Sequence, residues 1–83
     1  MKPELIKQYR RSFAYEIKRF GFDMEFATEL DAPHMEFEGD TVCLTTPSDH
    51  VRLHIVDACN ALYGLSRQNM TSPRIMRLFK DAA

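Results

Sequence analysis

No run of apolar residues in this chain approaches the ~18 needed to cross a bilayer, so a membrane-spanning helix is excluded. Cysteine is scarce: Cys43 and Cys59 permit at most one disulfide. The first twenty residues carry charge every few positions instead of the apolar centre of a secretory signal. Both thiols are therefore expected to be reduced in a cytoplasmic setting, with Cys59 a small core residue on an apolar helix stripe. The Asn69-Met70-Thr71 glycosylation pattern carries no weight there. Glycine totals three, and no nucleophile elbow, phosphate-binding loop or dinucleotide fingerprint occurs. A chain of 83 residues also leaves little room for a cleft of ~300 Å³. Neither enzyme chemistry nor a bound cofactor is expected.

The most informative absence is local. Residues 21–49 contain no lysine or arginine but eight acids: Asp23, Glu25, Glu29, Asp31, Glu36, Glu38, Asp40 and Asp49. The net charge of −1 thus conceals three blocks, +4 over residues 1–20, −8 over 21–49 and +3 over 50–83. Segregation of this kind speaks to partners and local field, not to fold.

What is present reads as one small domain spanning residues 1–83, with 45% hydrophobic and 28% charged residues. Pro3, Pro47 and Pro73 each suit the first position of a helix, with Thr46 and Ser72 as N-caps before the last two. Helix one is predicted over residues 3–20, where Ile6, Tyr9, Phe13, Ile17 and Phe20 share a face and Gly21 follows as a stop. The period then changes to two. Strands are predicted over 22–31, 34–38 and 41–45, joined at Ala32-Pro33 and Gly39-Asp40. In this register Phe37 opposes Val42, Met35 opposes Leu44, Leu30 opposes Met35 and Glu29 opposes Glu36, with every apolar pair on one face. Helix two is predicted over 47–63, with Val51, Ile55, Ala58, Cys59 and Leu62 on its main stripe and Leu53, Val56 and Tyr63 on a second. Gly64-Leu65 is a Schellman-type stop in this reading, and helix three follows Ser72-Pro73. The order is α-β-β-β-α-α: an α+β fold, a three-stranded antiparallel meander with helices packed on one face. Phe13, Phe26 and Phe37 are the expected centre of its core.

The other sheet face would present Asp23, Glu25, Glu29, Asp31, Glu36 and Glu38, softened by His34, Thr41, Cys43 and Thr45. Like charges placed opposite one another destabilise a sheet, and a merely solvated face needs only scattered mixed charges. A single-sign field instead accelerates association with an oppositely charged partner. The expected function is a non-enzymatic interaction module or inhibitor, by analogy with host-takeover proteins of phage. Its acidic face would dock on a basic protein surface, such as a nucleic-acid-binding groove. The plainer account is a solvated exterior, since exposed strands need polar residues anyway. The overhanging 22–26 edge, or the second stripe of helix two, would suit a homodimer.

The alternative function is nucleic-acid binding or transcription regulation through Lys7, Arg11, Lys18, Arg74, Arg77 and Lys80 on the first and last helices. Pro73 and the long interval after Gly64 fit poorly with a helix-turn-helix. His50, His54 and Asp57, at i, i+4 and i+7, would share a helix face within reach of a metal. They lack the HExxH glutamate, and a polar helix stripe is the favoured reading, so no metal is expected.

Overall fold

A computed structural model of the chain describes residues 2–22, 32–64 and 72–83. The elements are α1 (Pro3–Arg19), β1 (His34–Glu38), β2 (Thr41–Thr46), β3 (Asp49–His54), α2 (Ile55–Tyr63) and α3 (Ser72–Ala82). The order α-β-β-β-α-α is the expected one, and the sheet is an antiparallel meander β1-β2-β3. No helix among the described residues is long and apolar enough to cross a membrane.

α1 begins with Pro3 at its first position and Glu4 in its first turn, and ends with Lys18 and Arg19 in its last. Each of these charges favours its end of the helix dipole. Termination follows from Gly21, whose φ of +90° lets its N–H reach the Lys18 carbonyl while the Phe22 N–H reaches Ile17. This is a Schellman stop, and its apolar partners Ile17 and Phe22 are both buried.

The first hairpin follows the sequence closely. Met35 opposes Leu44 and Phe37 opposes Val42 across Gly39-Asp40. Gly39 takes a φ of +58°, the left-handed conformation that glycine supplies at the first loop position of a II′-type turn. Arg10 of α1 donates to the Gly39 carbonyl and lies 5.3 Å over the Phe37 ring, tying the helix to the hairpin.

The third strand differs from expectation. The predicted 22–31 strand lies outside the described residues from 23 onward, and so do the Leu30–Met35 and Glu29–Glu36 pairs. Residues 49–54, expected as the start of helix two, instead form β3 against β2. Thr46-Pro47-Ser48-Asp49 makes the connecting turn, so Pro47 starts no helix. Proline presets φ for a turn as well as it does for a helix start. Strand pairing also buries Val51 and Leu53 together.

α2 therefore begins only at Ile55, capped by His54, whose Nδ1 accepts from the Val56 N–H at 3.2 Å. Its end also differs: Gly64 has a right-handed φ of −76°, so it is not the left-handed glycine of a Schellman stop. The sheet's inner face packs with Phe13, Ile17, Ile55, Leu62, Ile75 and Phe79 in one core. Phe13 is fully buried, with the rings of Phe37 and Phe79 each 5.8 Å away. Phe26 lies outside the described residues. Both cysteines are free.

Candidate functional site

With the helices on one side, alternation along the strands sends His34, Glu36 and Glu38 of β1, Thr41, Cys43 and Thr45 of β2, and His50, Arg52 and His54 of β3 to the other. Glu36 and Glu38 thus sit on the outer face as expected, with side chains 65% and 57% exposed. Asp23, Glu25, Glu29 and Asp31 lie outside the described residues. β3 brings in three residues that helical spacing had hidden: His50, Arg52 and His54. Arg52 and His54 meet acids of the first hairpin, while His50 Nδ1 lies 2.9 Å from Thr45 Oγ1. Arg52 pairs with Glu38 at 2.6 Å, His34 Nε2 lies 2.7 Å from Glu36 Oε1, and His54 Nε2 lies 3.2 Å from Asp40 Oδ2. The single-sign field therefore does not extend over the whole described face. Exposed pairs of this kind are worth only about 0–1 kcal/mol, so they orient side chains more than they hold the fold.

Cys43 occupies the centre of this face at 7% exposure. Its Sγ donates to Glu38 Oε2 at 3.4 Å. Desolvation first, and that hydrogen bond second, push the thiol above its ordinary value. Burial does the same for Cys59, whose Sγ lies 3.5 Å from the Tyr9 carbonyl on the core side.

The metal trio is dispersed: His50 and His54 belong to β3, while Asp57 is exposed in the first turn of α2. Among the described residues no group of three His, Cys, Asp or Glu is placed to hold a metal ion. The second stripe of helix two is likewise broken up. Leu53 is buried in the sheet and Val56 packs on the core, which leaves only Tyr63 exposed at 66%. The proposed 22–26 dimer edge lies outside the described residues beyond Phe22.

The basic residues split into two groups. Lys7 and Arg11 are exposed on α1, and Lys18 is exposed near its end. Arg74, Arg77 and Lys80 are exposed on α3, but Lys80 Nζ is paired with Asp49, which holds that carboxyl below its usual value. This pair bridges an open groove of about 660 Å³ between the β2–β3 turn and α3, lined by Thr46, Pro47, Met76 and Arg77 among others. The groove is larger than the chain length had led us to expect, because the proline turn and α3 stand apart on either side of the pair. No known protein family, characterised protein or solved structure matches this chain.

Proposed function

We propose that this protein is a non-enzymatic interaction module, of the inhibitor type, whose outer sheet face docks on a basic protein surface. The observation that carries the reading is the placement of Glu36 and Glu38, both more than half exposed on a strand from a block with no lysine or arginine. Among the described residues the helices pack on the opposite face. Carboxylates at two-residue spacing along a strand lie about 7 Å apart, close to the spacing of successive phosphates. Such a face would suit a groove that otherwise holds nucleic acid, in a cytoplasmic setting.

The test is affinity capture by the tagged protein from nuclease-treated lysate of its source cell, beside a Glu36→Lys/Glu38→Lys variant with a matched melting temperature. A basic protein retained by the wild type alone is the expected outcome. Equal retention by both would overturn the reading. A second reading, nucleic-acid binding, is favoured only by Lys7, Arg11 and Arg77, which are exposed and make no ion pair among the described residues. Among the described residues, the outer sheet face offers no phenyl, phenol or indole ring on which a base could stack. Retention on duplex DNA that falls steeply with salt would promote this second reading.

A further inference from the structure

The open groove of about 660 Å³ between the β2–β3 turn and α3 mixes apolar and charged lining. Pro47 of the turn, with Pro73 and Met76 of α3, supplies the apolar part. Asp49 and Lys80 satisfy one another across it. Arg77 and Asp81 also line it, both exposed, and neither side chain makes an ion pair or hydrogen bond among the described residues. They stand four residues apart on α3 with the cation first, the less favourable order for a helical pair. The groove therefore offers one uncommitted cation and one uncommitted anion beside apolar surface.

These groups are ordered along the helix. From Pro73 to Asp81 α3 advances about 12 Å, the length of about three to four extended residues. Long side chains on a helix lean toward its N-terminus, so Arg77 serves the Pro73 end and the shorter Asp81 the other. A carboxylate at the Pro73 end would accept paired hydrogen bonds from the guanidinium. An apolar chain leading from it would cover Pro47, Pro73 and Met76. A basic side chain about 10 Å further back would reach Asp81. A bare phosphate would leave the apolar lining uncovered and meet Asp49 and Asp81 with like charge.

We propose that this groove binds the C-terminal end of a peptide chain, with an apolar last residue and a lysine or arginine three positions before it. The free carboxylate is the anchor, held by Arg77, and the basic side chain pairs with Asp81. Glu36 and Glu38 do not line the groove, so this site stands apart from docking on the sheet face.

The probe is the fluorescein-labelled peptide Gly-Gly-Lys-Leu-Ala-Leu with a free carboxylate, titrated by anisotropy against the full chain. Its C-terminal amide and its lysine-to-glutamate form are titrated beside it. The acid is expected to bind ~10-fold more tightly than the amide, as for loss of a charged hydrogen-bonded pair. Arg77→Gln is expected to remove that difference, and Asp81→Lys to reverse the preference between the lysine and glutamate peptides. Both side chains are exposed, so both variants should melt with the wild type. Glu36→Lys/Glu38→Lys should bind the acid unchanged; a loss there would move the site to the sheet and overturn the groove. No binding of the acid, equal binding of acid and amide, or an acid preference kept by Arg77→Gln would also overturn it. An unreversed preference in Asp81→Lys would overturn the requirement for a basic residue. Displacement by octanoate at the same concentration as by unlabelled peptide would overturn the peptide as occupant.

Discussion

A single imidazole joins three parts of the fold. His54 ends β3, caps α2 through Nδ1 and reaches Asp40 through Nε2, while the Asp40 carbonyl accepts the Ile55 N–H at 2.7 Å. Because Nδ1 accepts, the proton of the neutral ring belongs on Nε2, facing the carboxylate. The strand therefore runs into the helix with no loop, and the helix's first donors are still satisfied. Replacing His54 with alanine should cost about 1 kcal/mol in urea unfolding, whereas asparagine, a good cap, should cost much less. Equal losses in the two variants would show that the cap contributes nothing. In the sequence this residue falls in a polar helix stripe with His50 and Asp57, because spacing reports neither ring orientation nor the element to which a residue belongs.

At the scale of elements, α1 and the first hairpin were legible because each satisfies a single period and ends in a glycine with positive φ. Glycine's role differs among its three positions. At Gly21, alanine would have to adopt a left-handed φ, at about 1–2 kcal/mol. At Gly64 an added Cβ meets nothing closer than the Asn60 carbonyl at 3.9 Å and the backbone is right-handed. Gly64→Ala is therefore expected to stabilise the domain by about 0.4–1 kcal/mol, by restricting the unfolded chain. Thermal melts of the two variants should move in opposite directions. β3 was misread because Val51 and Ile55, four apart, satisfy a helix stripe and a strand face together. Leu53 was the residue that separated the two readings. On a helix it needed a second buried surface, whereas on a strand it falls between Val51 and Ile55 on the same face.

For the molecule as a whole, α3 is fastened to the sheet by its apolar face and by the Lys80–Asp49 pair. The hydrogen bond from Lys80 is the chief cause of the lowered Asp49 value. A carboxyl with a folded value below its unfolded value of about 3.9 stabilises the fold above that pH, and the contribution is lost as pH falls through the folded value. Asp49→Asn should therefore lower stability at neutral pH and shrink the loss on acidification below about pH 4. Parallel wild-type and variant curves of unfolding free energy against pH would show that the pair has no such role.

Local pattern by itself determined the extent of α1, the register of β1 on β2, and the placing of Glu36 and Glu38 on the outer face. Each follows from side-chain period and glycine conformation, which neighbouring residues set. Only tertiary structure decided the state of residues 49–54, and with it the character of the candidate surface. A segment whose side chains suit both periods is settled by what else bonds to it. The open edge of β2 supplies a ladder for six residues, and the helices supply cover for Val51 and Leu53. That choice moves His50, Arg52 and His54 from a helix onto the sheet beside Glu36 and Glu38. An acidic face becomes one of mixed charge because backbone hydrogen bonding, which lies outside any local pattern, selects the strand.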